Sequence, residues 1–269
     1  MKYLVLADWH YDHWKKADRD PFADVEREIS ELDLLILAGD ISNKPRVRWK
    51  NAFAEISRLL PPDRIHVLPG NHDYYQHVFD GDERLSEIAA AAGVRYANMA
   101  DIRIGDTRLL CATLWTDFEI GPGRMINEEH IPRRMNDYKL IRVASHGYRK
   151  LRPRDVIQRH LSHRTWLDTQ LARPFPGSTN VVTHHAPHPD VLLDYSEDLE
   201  AAYASDLSGI IARHAPEAWL FGHSHDACSL TVGPTLLKNV SLGYPDDVAD
   251  PAGRIRSLIR ETETVSDTV

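Results

Sequence analysis

Tyr3-Leu-Val-Leu-Ala-Asp-Trp-His10 places five apolar residues directly before a carboxylate and an imidazole two positions apart. The apolar run is rich enough for a buried strand. The same design returns twice. Leu34-Leu-Ile-Leu-Ala38 leads into Gly39-Asp40, and Arg64-Ile-His-Val-Leu68 leads into Gly70-Asn71-His72-Asp73. Helical patterns lie between these runs. Val47 to Leu60 sets Val47, Trp49, Phe53, Ala54, Ile56 and Leu60 among charges, then stops at Pro61-Pro62, where the backbone donor is lost. Glu83 to Ala92 is Ala-rich and ends at Gly93. Strand, helix, strand, helix, strand predicts a parallel sheet with crossover helices. Ligands of such sheets gather beyond the carboxyl ends of the strands, so the three polar motifs converge on one edge. The glycines before Asp40 and Asn71 let the chain turn sharply as it leaves each strand.

The second half repeats the theme with histidines. Asn180-Val-Val-Thr183 reads as a strand delivering His184-His185, and Ala218-Trp-Leu-Phe221 as one delivering Gly222-His223-Ser-His225. Ile102–Ile104 and Thr107–Ala112 flank Gly105-Asp106 as a hairpin, and Ala227–Val232 and Thr235–Val240 flank Gly233-Pro234 as another. Asp155 to Leu171 predicts a helix and Arg254 to Arg260 a last strand, with a frayed tail after Glu261. Residues 116–152 are polar and too long for a simple connection, so they predict a lid or substrate loop. No repeat, low-complexity tract or linker divides the chain, and residues 1–269 read as one domain.

The motifs supply carboxylates, a carboxamide and imidazoles without thiolate. That donor set suits a pair of first-row metal ions, and two such ions form a clamp for attack on phosphate esters. His184 and His185 point in opposite directions on an extended segment, so they cannot easily bind the same ion. Candidate substrate contacts are Asn43 after the Asp40 strand end, Asp117 in Trp115-Thr-Asp-Phe118, and Asn136, Asp137 and Arg142 in the loop, where an arginine fork can grip phosphate. Other histidines, His160 and His163 among them, read as surface or packing residues.

The set D-x-H, G-D, G-N-H-D, H and G-H-x-H resembles the calcineurin-like metallophosphoesterase superfamily, and the match runs from Asp8 to His225. The resemblance implies an α/β fold in which two mixed β-sheets pack as a sandwich flanked by helices. It implies Asp8, His10 and His225 on one metal, Asn71, His184 and His223 on the other, and Asp40 as the bridge, which leaves His185 as a pocket residue. The ions would be Mn, Fe or Zn. Two divalent ions less two carboxylates and a bridging hydroxide leave about one positive charge to attract phosphate. That hydroxide would attack the phosphorus of a mono- or diester. His72 would serve the leaving group, and Asp73 would orient His72 or a neighbouring loop.

Composition narrows the alternatives. No apolar run has the length of a membrane span. The first apolar stretch lacks a cleavage site and reads as a strand, not a leader. Cys111 and Cys228 stand in unrelated contexts, which fits a reducing cytoplasm. Net charge is −8, but residues 124–164 hold eleven Lys and Arg against four acids, while residues 189–206 hold six acids and no Lys or Arg. The basic segment favours a nuclease acting on nucleic acid ends; the overall charge disfavours broad backbone binding. A small phosphorylated substrate is therefore the expected partner. A non-catalytic interaction scaffold usually loses ligands, and none is missing.

Overall fold

The computed structural model describes residues 1–193 and 199–263. Among the described residues thirteen strands run in chain order: β1 (Lys2–Leu6), β2 (Leu34–Ala38), β3 (Ile65–Leu68), β4 (Arg95–Tyr96), β5 (Ala100–Ile104), β6 (Thr107–Ala112), β7 (Arg142–Val143), β8 (Arg149–Lys150), β9 (Ser178–Thr183), β10 (Ala218–Phe221), β11 (Ser229–Val232), β12 (Thr235–Asn239) and β13 (Ile259–Glu261). One sheet has the order β13-β1-β2-β3-β4, and the other β11-β12-β10-β9-β6-β5. In the first, β1 to β4 are parallel and β13 is antiparallel. In the second, β12, β10, β9 and β6 are parallel while both edges are antiparallel. The two mixed sheets are the sandwich anticipated from the sequence.

Period-two alternation divides the second sheet between two apolar cores. Leu109, Cys111, Val182, Ala218 and Leu220 join the core shared with the first sheet. Their neighbours Leu110, Ala112, Val181, Trp219 and Phe221 face the opposite side, packed with Leu167 and Ile211. Parallel strands buried on both faces need such continuous apolar runs.

The sheets are stitched together where the motifs emerge. Ala7 donates to Val240 O at 3.0 Å, and its carbonyl accepts from Leu242 N at 2.8 Å. Asp8 N bonds Gly39 O and Gly222 N bonds His184 O, each at 2.9 Å. The carboxyl ends of β1, β2, β3, β9, β10 and β12 therefore meet at one edge.

Several local expectations are corrected. The helix placed at 47–60 is Pro45–Ile56; it buries Pro45, Trp49, Ala52, Phe53 and Ile56, while Val47 faces solvent at 68% exposure. Pro45 at the first turn supplies the fixed φ that starts it. The expected last strand from Arg254 is instead a helix, Pro251–Arg256, followed by β13. Asp250 caps that helix by accepting from Gly253 N at 2.8 Å, and Pro251 occupies its first turn. The 116–152 segment contains helices at Arg124–Arg134 and Asp137–Leu140 and the β7-β8 ribbon. Thr262 donates to Met1 O at 2.9 Å, and Glu263 O accepts from Asp106 N at 3.1 Å. The rest of the tail, 264–269, lies outside the described residues, as do Asp194, Glu197 and Asp198 of the acidic stretch. Among the described residues no helix is long and apolar enough to cross a membrane.

Candidate metal centre

Three of the five ligand-bearing motifs leave their strands through a strained turn. Asp8, His10, Asp40, His223 and His225 all have φ between 47° and 70°. This left-handed region is unfavourable for residues with a Cβ and clusters at functional sites. The glycines solve a second problem, that of space. A Cβ on Gly70 would overlap Asp40 Oδ1, and one on Gly222 would overlap Ala7 and lie 2.5 Å from Asp8 Oδ2.

The strand ends bring three overlapping sets of donors together: Asp8, His10 and His225; His10, Asp40 and His72; and Asp40, His184 and His223. Asp8 and His10 are fully buried, and Asp40 is 1% exposed. His10 Nε2 lies 3.0 Å from His225 Nε2, and Asp8 Oδ1 lies 3.3 Å from His225 Nε2. Asp40 Oδ1 lies 3.4 Å from His184 Nε2, and Asp40 Oδ2 lies 3.9 Å from both His10 Nε2 and His72 Nε2.

The chain's own hydrogen bonds aim these atoms inward. His184 Nδ1 lies 3.1 Å from Ala38 O and donates to it, which leaves Nε2 as a lone pair. That lone pair faces Asn71 Oδ1 at 3.1 Å, so two acceptors confront each other. Asp8 Oδ2 accepts from His223 N at 2.9 Å and Ser241 Oγ at 2.6 Å, leaving Oδ1 buried outside any hydrogen bond, with the His225 ring 3.3 Å away as a charge neighbour. His223 Nε2 is likewise buried and unpaired. Buried polar atoms are normally satisfied. Facing acceptors and orphaned lone pairs around buried carboxylates are the donor set of a cation site, and the residues present fit metal ions. Burial, then the charges of Asp8 and Asp73, pushes Asp40 well above the usual carboxylate range. Burial and neighbouring histidines hold His10 and His223 well below the ordinary imidazole value, so both are neutral and able to ligate.

The surrounding residues divide sharply. His72 borders the cluster, with its ring stacked on Tyr75 at 4.3 Å and Nδ1 3.1 Å from Asn43 Oδ1. Asn43 Nδ2 donates to Asp12 at 3.0 Å, so its oxygen must face His72, and His72 Nδ1 carries the proton. Asp73 points away from the cavity. Its carboxylate accepts from Ile41 N, Ser42 N, Gly70 N and Trp49 Nε1 at 2.8–3.2 Å, tying the loop after β2 to the loop after β3.

Asp137 also stands behind the site. It accepts from Asn71 Nδ2 at 2.9 Å and Tyr75 Oη at 2.6 Å. Asn136 lines the main cavity. Asp117 does not; it approaches His160 Nε2 at 3.8 Å. Arg142 lines a different cavity. His185 is buried with Nδ1 3.2 Å from Thr113 O and its ring stacked on Trp115. His163, expected as packing, is buried and accepts from Leu114 N at 3.1 Å.

The main cavity, about 700 Å³, also draws on Tyr203 and Tyr244, which sequence reading missed. Tyr203 stacks on His223 at 4.6 Å and Tyr244 on His10 at 4.3 Å. A signal for Tyr244 existed: β12 runs parallel to β10, so residues 240–244 leave at the same edge.

Fold and cluster define a metal-dependent α/β hydrolase. The chain belongs to the calcineurin-like phosphoesterase family, which it matches over residues 1–227. It is a hydrolase acting on phosphoric esters. It is 25% identical over 238 residues to an uncharacterized protein of Acanthamoeba polyphaga mimivirus, covering 82% of each chain. Its fold is similar to that of a phosphopantetheinyl hydrolase from Mycobacterium tuberculosis, with a TM-score of 0.67, 17% identity, and 91% and 90% of the two chains covered.

Proposed function

We propose that this chain hydrolyses a phosphate mono- or diester carrying a bulky organic group, using two metal ions held at the shared sheet edge. The observation that carries the reading is the confrontation of His184 Nε2 and Asn71 Oδ1, both lone-pair donors, 3.1 Å apart beside the buried Asp40 carboxylate. Asp8, His10 and His225 would hold one ion and Asn71, His184 and His223 the other, with Asp40 shared between them. Bound ions of this kind, Mn, Fe or Zn, supply a water deprotonated near neutral pH and a clamp for phosphate oxygens.

The chain's side chains do the rest. His72 Nε2 faces the cluster while Asn43 retains the Nδ1 proton. Nε2 is therefore the nitrogen through which the ring would take up a proton and pass it to a leaving oxygen, with the Nδ1 partner unchanged. Tyr75, Tyr203 and Tyr244 wall a cavity far larger than a phosphate group, which supports an organic ester as the substrate. Within the 116–152 segment, residues 134–136 line this cavity, which supports its role as a substrate loop.

The test is hydrolysis of a chromogenic phosphomonoester and its bis-ester by metal-stripped protein resupplied with Mn, Fe, Zn or nothing. Metal-restored cleavage of either ester is expected. Two bound ions per chain with no cleavage of any phosphate ester would overturn the reading.

A further inference from the structure

We propose a second phosphate-binding site, separate from the metal centre, in the basin formed by Arg46, His77, Arg84, Lys139, Arg142 and Tyr148. These residues line a cavity of about 620 Å³ whose wall contains no carboxylate. Arg84 is paired with Glu87 at 2.6 Å. Among the described residues, Arg46, Lys139 and Arg142 have no carboxylate within ion-pair distance. Convergent, unneutralised cations are unexpected in a chain of net charge −8. A concave surface lined by one sign of charge focuses the field and concentrates the opposite ion. Arginine forks match phosphate oxygens in geometry as well as charge.

The basin shares a wall with the metal centre. Gln76, His77 and Val78 on its floor directly follow Tyr75, which lines the main cavity. Lys139 lies two residues after Asp137, which grips Asn71. The Lys139 ammonium reaches back over the divide, 3.4 Å from Arg134 O and 3.5 Å from Asn136 Oδ1, and both of those residues line the main cavity. Gln76 N also bonds Leu140 O at 3.4 Å, joining the two segments that form the wall. The ligand is a phosphate group. It belongs either to the far end of a substrate with two phosphates, or to a separate phosphorylated molecule bound beside the active site.

The test counts inorganic phosphate bound per metal-loaded chain by calorimetry at low salt. Two phosphates are expected for the parent protein, one for Asp40→Asn and one for Arg46→Gln/Arg142→Gln. Both arginines are exposed, so the double variant should fold, and an unchanged thermal midpoint checks this. No phosphate bound to Asp40→Asn, or two bound to the double variant, overturns the site. If the metal centre fails to take phosphate, the parent binds one and the double variant none, so that failure is distinct. The source follows from kcat/KM for an ester with and without a second phosphate. A preference for the second phosphate that the double variant lacks assigns the basin to substrate. A preference unaffected by the double variant, with phosphate still bound to the parent basin, assigns it to a separate molecule.

Discussion

Asp137 Oδ1 accepts a 2.9 Å hydrogen bond from Asn71 Nδ2, and this turns the Asn71 carboxamide oxygen toward His184 Nε2. Tyr75 Oη secures the same carboxylate oxygen at 2.6 Å. A neutral ligand holds metal weakly unless its oxygen is aimed, so the carboxylate behind it matters. Asp137→Ala should weaken one of the two metals by about 10- to 100-fold, the usual effect of losing a partner behind a ligand. Metal titration followed by elemental analysis checks this. Equal loss of both metals, or of neither, would show that Asp137 does not act through Asn71.

His72→Ala should retain both metals yet lower kcat by roughly 10²–10⁴, the range for a lost proton donor. Asn43→Ala should give a smaller fall, because the ring remains but its Nδ1 proton is no longer fixed by the Asn43 oxygen at 3.1 Å. Elemental analysis beside the kinetics separates the roles. Metal lost from His72→Ala would make His72 a ligand.

The strand-end motifs were legible because each pairs an apolar run with a polar exit, and parallel strands carry all such exits to one edge. The role of Asp137 was not. Asn71 and Asp137 are 66 positions apart, and nothing local to the 137–140 turn says that its carboxylate faces inward behind a ligand. Arg142 was misplaced for a related reason. Its backbone pairs with Val78 as an isolated bridge, and its side chain lines the neighbouring basin instead of the metal cavity. Asp250 and Pro251 carry a helix-start signal, and Ile255, Leu258 and Ile259 recur at i, i+3 and i+4, so the helix was legible there and the strand expectation overlooked it. Tertiary contact decided the cases of Asp137 and Arg142, and contact is what a local pattern omits.

Gly70→Ala tests whether space, not only backbone freedom, dictates the motif glycines. The new Cβ would meet Asp40 Oδ1 and Asp40 N. Oδ1 has little room to yield, since it already accepts from His72 N at 2.8 Å. Overpacking of this kind typically costs about 1–3 kcal/mol. The variant should unfold at lower denaturant than the parent even with chelator present, and should also bind metal more weakly. Unchanged stability without metal, with only affinity reduced, would mean that Asp40 yields freely and the fold does not depend on the fit.

His163 predicts how stability changes with pH. The ring is 1% exposed and its Nδ1 accepts from Leu114 N at 3.1 Å. Burial, then the charges of Arg159 and His160, pulls its pKa from 6.5 to about 3. The unfolded chain therefore takes up a proton near pH 6.5 that the folded chain refuses until about pH 3. The favourable contribution is complete above pH 6.5 and is lost as pH falls through that window, at about 1.4 kcal/mol per pH unit for one proton. His163→Gln removes the titrating group. With chelator present in both samples, so that metal release does not intrude, urea unfolding between pH 7 and 4.5 should show a steeper loss for the parent by nearly one proton. Equal slopes would mean that the ring gains its proton while the protein is still folded, and that the bond to Leu114 gives way before the fold does.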